Sequence, residues 1–239
     1  MKRDHHQAQT GRSPVYKACA GASLLMLLSG LCYADNSHWT VRGGLSSVNP
    51  SAGSDNLFLN GADTFDEDLD VDDNIQLGLT IEYHIDQHWG VELLASTPFE
   101  HTASGTRDFD GLDLVDVKHL PPTLSAIYHF ETESAIKPYV GIGINYTIFF
   151  EEDTPSEADA ALEAGFGLTG ADVEVDPSLG IALQVGADYA IDERWLINAS
   201  VRWIDLETDV DIDFDDGTRI STELEIDPMV YSLLLGYRL

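Results

Sequence analysis

Six charged residues punctuate runs that are otherwise apolar and extended in character: Arg42, Glu82, Glu92, Asp188, Arg202 and Arg238. By alternation all six fall on one face of their segments. Three acids and three bases on one enclosed face are expected to pair with one another, because an unpaired buried charge is strongly destabilising. The first chemistry to expect is therefore an ion-pair network rather than catalysis.

Other candidates are weaker. His84, His119 and His129 lie near segment ends, with Ser96 and Ser125 on inward faces close to His84 or His129. A hydrolase needs its nucleophile and base in reach, and neither a Ser–His spacing nor a G-x-S-x-G elbow supports one. The chain is read as no enzyme. Asp211-Ile-Asp213-Phe-Asp215-Asp216-Gly217 looks like a calcium loop, but counting from Asp211 the sixth and twelfth positions hold Asp216 and Thr222 instead of Gly and Glu. It reads better as an acidic strand extension. The run Asp66-Glu67-Asp68, Asp70, Asp72, Asp73 is read as a solvated loop, with loose divalent binding as the alternative. No residues are assigned to a metal, and no cofactor is expected.

The elements that carry these residues alternate with period two. In Asn74–His84, Ile75, Leu77, Leu79, Ile81 and Tyr83 share one face, while Gln76, Gly78, Thr80, Glu82 and His84 share the other. Similar runs occur near 38–48, 89–99, 120–130, 138–150, 178–190, 194–206 and 219–239. Their length suits a tilted strand crossing a bilayer, about 9–11 residues. Short connections (85–88, 131–137, 191–193) alternate with long ones (49–73, 100–119, 151–177), and Asp215-Asp216-Gly217 is a hairpin signal. Aromatics such as Trp39, Trp89, Phe130, Tyr139, Trp195 and Tyr237 cluster at run ends, as at a membrane interface. The fold expected is all-β: an eight-stranded antiparallel up-and-down transmembrane β-barrel, with the long connections facing outside.

The amino terminus fits export. Lys2, Arg3, Arg12 and Lys17 precede an apolar stretch from Ala18 to Leu31, and Cys32-Tyr33-Ala34 offers a cleavage site before Asp35. Residues 1–34 are read as a cleaved signal peptide and 35–239 as the barrel domain. Both cysteines, Cys19 and Cys32, fall in the leader, so the mature chain has no thiol. It has 41 acidic and 8 basic residues, which argues against a nucleic-acid partner. Of the 41, 32 lie in 49–73, 100–119, 151–176 and 205–227, on the outer side.

Apolar residues also point inward. Leu94, Ile127, Phe149, Leu196 and Ile204, with Leu234, give the lumen a partly apolar lining, and an eight-stranded barrel is narrow enough for side chains to fill. Glu157–Glu163 has helix-forming composition and reads equally as a short capping helix or as a mobile loop. Pro98, Pro121, Pro122 and Pro177 lie near outer strand ends, where a missing ladder donor is expected to permit a lateral opening.

Several blocks carry a resemblance. Gly90-Val91-Glu92-Leu93-Leu94-Ala95-Ser96-Thr97-Pro98-Phe99 looks like the signature of the outer-membrane protein W family. Lys118–Leu124, Lys137–Thr147, Gln184–Tyr189 and Asp227-Pro228 resemble further parts of it, so the resemblance covers essentially the whole mature chain. It implies an eight-stranded outer-membrane barrel linked to passage of small hydrophobic molecules, with outer-membrane lipid, lipopolysaccharide and the barrel assembly machinery as partners. The sequence departs from the family pattern at Leu179, where a Trp is frequent, and at the carboxyl-terminal Leu239, where Phe is usual. The expected route runs from the acidic outer mouth through the apolar lumen and, above an ion-pair plug, sideways into the membrane. The alternative is a sealed structural or interaction barrel whose acidic loops bind cations, lipopolysaccharide or partners.

Overall fold

Alternation along the chain becomes a closed wall. The computed structural model describes residues 38–51, 53–54, 57–65, 69–105 and 111–239. The signal-peptide reading and the Asp66-Glu67-Asp68 run lie outside them. In chain order the strands are β1 (Trp39–Asn49), β2 (Gly53–Ser54), β3 (Leu57–Leu59), β4 (Ala62–Phe65), β5 (Leu69–Val71), β6 (Asn74–His84), β7 (Trp89–Ser96), β8 (Phe99–Gly105), β9 (Asp113–Leu120), β10 (Thr123–His129) and β11 (Ile136–Asp153). The helix α1 (Ser156–Phe166) follows. Then come β12 (Asp172–Val175), β13 (Ser178–Ala190), β14 (Trp195–Ile204), β15 (Glu207–Asp213), β16 (Arg219–Glu225) and β17 (Met229–Arg238).

Eight of these make the lower wall, in the order β10-β7-β6-β1-β17-β14-β13-β11, and β10 pairs with β11 to close the ring. All pairs are antiparallel, and the first strand meets the last with Thr40 opposite Arg238 and Asn49 opposite Met229. The outward face is greasy: Leu45, Ile75, Leu77, Ile142, Ile144, Leu179, Val185 and Leu233 are all more than half exposed. The inward face is buried and largely polar, with Thr40, Ser46, Thr80, Thr123, Ser125 and Asn145 among its members. A soluble protein does the reverse, so this is the inside-out pattern of a barrel whose solvent is lipid. At the rim beside the short turns, Trp39 packs on Tyr83 (4.9 Å), Trp89 on Tyr128 (5.0 Å) and Trp195 on Tyr237 (4.9 Å).

The long connections are not loops, which corrects the expectation for 49–73, 100–119 and 151–177; the acidic strand extension read around Asp215-Asp216-Gly217 is the hairpin of β15 and β16. β8, β9, β12, β15 and β16 carry the wall upward as a second storey, in which β8 pairs with β9, β9 with β11, and β12 with β15 and β16 in turn. Their acidic residues alternate with inward apolar ones: in β15, Thr208 and Val210 are buried while Glu207 and Asp209 face out. The helix α1 buries Ala158 and Leu162 and ends at Gly167, whose positive φ (72°) lets its N–H bond to Glu163 O. Leu162 joins Leu57, Leu168, Phe214 and Ile220 in an apolar cluster near the hairpin tips.

Two short turns share a sequence signature, Ile85-Asp86-x-x-Trp89 and Ile191-Asp192-x-x-Trp195. Each Asp side chain accepts backbone N–H bonds two and three residues on: Asp86 from His88 (2.7 Å) and Trp89 (2.8 Å), Asp192 from Arg194 (2.8 Å) and Trp195 (2.7 Å). These donors hold both carboxyls below the usual carboxylate range. A depressed folded-state value means the stabilisation is present above the unfolded value of about pH 3.9 and is lost as pH falls through the folded one. Asp86→Asn with Asp192→Asn should therefore flatten the acid limb of barrel stability, read as the urea midpoint against pH.

The closing ladder gives a second test. A Cβ on Gly44 would sit 2.4 Å from Leu233 O and 2.9 Å from Leu234 Cα, both backbone atoms of β17. One on Gly43 has nothing closer than 3.9 Å. Gly44→Ala should cost about 1–3 kcal/mol and weaken heat-modifiable gel migration, the sign of a closed barrel, while Gly43→Ala should not.

Candidate functional site: a polar floor, an apolar chamber and a wall seam

The polar floor is built around Arg42. Its guanidinium reaches Glu82 on β6 (2.7 Å), Asp188 on β13 (2.7 Å) and Glu92 on β7 (3.3 Å). Each carboxylate stands within four residues of the short-turn end of its strand, so the three converge across the lower lumen. Arg202 donates to Glu92 at 2.9 Å and bonds Gln184, which donates to Glu92 at 3.0 Å. Asn198 donates to Asp188 (2.7 Å) and to the Tyr139 hydroxyl (2.9 Å). His129 Nε2 lies 2.5 Å from Glu82 Oε1. All these groups are buried. The structure thus brings together five of the six charged residues expected to pair. Arg238 is the correction: it is half-buried and lines the cavity between the short turns, and among the described residues no ion pair is found for it.

The five inward apolar residues separate by height. Phe149 lines a chamber in the upper storey together with Val48, His101, Val115, His119 and Leu224. Ile204 packs in the same cluster. Leu94 is buried on the inner face but lies outside the chamber lining. Ile127 and Leu196 belong to the floor instead. The Ile127 side chain covers Gly141 beside Gln184, and Leu196 covers Gly236 beside the Arg42 stem. The chamber volume is about 50 Å³, so a solute enters only if side chains part. Its few polar members include His101 and His119, stacked at 5.0 Å, and His101 Nε2 is buried with no partner. Leu179, where the family pattern often has Trp, faces outward at 72% exposure and takes no part in the lumen.

Beside the chamber the wall is unpaired. The ladder between the third and fourth wall strands runs to Leu94–Thr123 and resumes only at Phe99–His119. The intervening segments contain Pro98 and Pro121-Pro122, which have no N–H to offer. Each segment bonds away from the other. Thr97 N donates to Leu77 O (3.0 Å), whereas Tyr146 N donates to Pro122 O (3.1 Å) and Asn145 Nδ2 to Pro121 O (3.2 Å). The result is a seam directly below the Phe99–His119 rung. Pro177 does not contribute one: Asp176 N donates to Asp209 O and Asp205 N to Ile181 O, so that neighbouring pair is bridged on both sides.

Several floor residues escaped the sequence reading. Gln184 and Asn198 had the same signal as the charged six, an inward position by alternation, but no charge to single them out. Tyr139, expected among the interface aromatics, is instead buried in the floor, and His129, weighed only as a catalytic base, meets Glu82 there. His101 lay in a segment read as loop. The Ser96 hydroxyl is buried and unpartnered, and no Ser–His hydrogen bond is found among the described residues.

A closed eight-stranded wall, apolar outside and polar inside, with an aromatic rim and an acidic upper storey, defines an outer-membrane β-barrel. The comparisons agree: the OmpW family model matches residues 36–239. Outer membrane protein W of Salmonella typhimurium is 38% identical over 92% of this chain and 97% of that one. A dibenzothiophene metabolism operon protein, PahQ, of Pseudomonas aeruginosa is 26% identical over 89% and 93%. The crystal structure of OprG from Pseudomonas aeruginosa superposes with a TM-score of 0.76 at 36% identity, covering 84% of this chain and 95% of that one. The chain belongs to the OmpW family and resides in the outer membrane, where barrels carry their short turns on the periplasmic side and longer connections outside.

Removing Arg42 leaves three carboxylates facing one another. Arg42→Met should cost about 3–5 kcal/mol, whereas Arg238→Met should stay within about 0.5 kcal/mol. Unfolding in urea from detergent micelles measures both.

Proposed function

We propose that the barrel passes small hydrophobic molecules from the outside into the outer membrane by a lateral route. The observation that carries this reading is the unpaired seam at Pro98 and Pro121-Pro122, placed beside an apolar chamber and above a charged floor. An apolar solute gains about 25 cal/mol per Å² on leaving water for the chamber. Moving downward, it meets buried ion pairs, which it can neither solvate nor replace. Moving sideways, it meets lipid. Phe149, Ile204 and Leu94 are the apolar surface of the path, and His101 offers one hydrogen-bonding group to a solute that carries its own. The dibenzothiophene name attached to one relative is consistent with an apolar aromatic cargo.

A second reading concerns the outer surface. Lys118 is tied to Glu100 and Glu151, and Arg219 to Asp211 and Asp213. Two of the few outer cations are thus occupied by the chain itself. This favours contact with lipopolysaccharide phosphates through divalent cations on the exposed carboxylates.

The seam is testable because the mature chain has no thiol of its own. Cysteines at Thr97 and Leu120, which flank the seam without replacing a proline, joined by a short bifunctional reagent, should abolish cellular uptake of a labelled alkane. The same double variant left unlinked should transport normally. Unchanged uptake in the linked barrel, with folding confirmed by gel migration, rules the lateral route out.

A further inference from the structure

We propose that Glu82, His84 and His129 form a site for one zinc-like divalent transition-metal ion at the periplasmic end of the lumen. Glu82 Oε1 lies 2.5 Å from His129 Nε2 and 3.7 Å from His84 Nδ1. One donor atom from each residue lies within 4.8 Å of the others. Two imidazoles and a carboxylate are a recurrent zinc donor set, with water in the fourth position. Tetrahedral edges of about 3.4 Å follow from zinc–nitrogen and zinc–oxygen bonds near 2.1 Å. The present spacings straddle that value, so side-chain adjustment alone closes the shell.

The surroundings are built for this convergence. Glu82 and His84 stand on β6 and His129 on β10, with β7 between them. Glu82 crosses β7 at Gly90, where a Cβ would sit 2.2 Å from its Oε1. The second carboxylate oxygen is held by Arg42. His84 Nε2 is 2.9 Å from Thr40 Oγ1, which leaves Nδ1 to face the ion. A cavity of about 730 Å³ between the periplasmic turns includes His84 and His129 in its lining, together with Asp86, Glu131 and Asp188. An ion thus has a wet, acidic approach.

Charge balance points the same way. With neutral histidines, Arg42 and Arg202 face Glu82, Glu92 and Asp188, leaving one negative charge in excess. A divalent ion on Glu82 Oε1 offsets that charge. An ion uses both rings. Imidazole donors select zinc and its neighbours over calcium or magnesium, which prefer all-oxygen shells. Once bound, the ion would tie β6 to β10 across β7 and lock the floor from below.

The test uses the full mature barrel, untagged, refolded in detergent and stripped with chelator. Zinc is titrated calorimetrically in millimolar calcium, which occupies the surface carboxylates. One saturable site is expected, and His84→Gln and His129→Gln should each weaken it at least roughly tenfold. Gly90→Ala should weaken it without removing a donor, and His38→Gln with His88→Gln, at the cavity rim, should leave it unchanged. Gel migration checks folding. If the ligand variants do not fold, cobalt binding to the unaltered barrel decides, because a four-coordinate imidazole site gives intense visible absorption. Absence of saturable zinc binding, loss of binding in the rim variant, binding indifferent to His84 and His129, or cobalt without those bands would overturn the proposal.

Discussion

Everything in this barrel depends on one constraint: in lipid, a backbone N–H or C=O has no water to turn to. The wall must therefore close, and closure of β1 on β17 fixes the rest. Once every rung is paired, alternate residues have no choice of face. Leu, Ile and Val go to lipid, and whatever lies between them is forced into an enclosure only a few side chains wide. Charges placed there cannot be solvated, so Arg42 and its three carboxylates must find one another. The ion-pair floor is a consequence of the closed ladder.

The same constraint explains why the seam is informative. A gap in a bilayer barrel is costly unless the freed backbone groups are bonded elsewhere. Here they are: Thr97 is bonded back to the second wall strand, and the Pro121 and Pro122 carbonyls accept from the fifth. Proline supplies the rest of the solution, because a residue without an N–H leaves no orphan donor. The wall is thus interrupted without leaving those groups unsatisfied, beside the chamber and not beside the floor.

Alternation made the eight wall strands and their inward residues legible, because period two is a local property of the chain. Height along the barrel is not local. Parity put Arg238, Ile127 and Leu196 correctly on the inward face, yet it cannot say at which level a residue stands. Strand stagger and side-chain length set that, so Arg238 falls below the floor and the other two fall within it. The second storey was partly hidden by composition: in β8 and β9 the outward Glu100 and Asp116 suggested a loop, although Phe99, His101 and Ala103 keep the period. The approach of Glu82 to His129 was invisible for a different reason. It joins strands that are not neighbours, and its only local trace is the bare backbone at Gly90.

The arrangement also bears on how a narrow barrel can move apolar cargo without leaking ions. A continuous pore would have to exclude ions by size or charge along its whole length. This lumen divides the tasks. The upper storey presents apolar side chains that favour a greasy solute and give a hydrated ion no ligands. The floor presents buried charges held in a hydrogen-bonded network, which an apolar solute can neither solvate nor displace. Between the two, the seam is where the proposed route offers an apolar molecule a boundary with lower free energy beyond it, and that boundary is the membrane itself. On the proposed route, permeation to the periplasm is not needed for uptake. A barrel that delivers into lipid can keep its floor shut throughout the cycle.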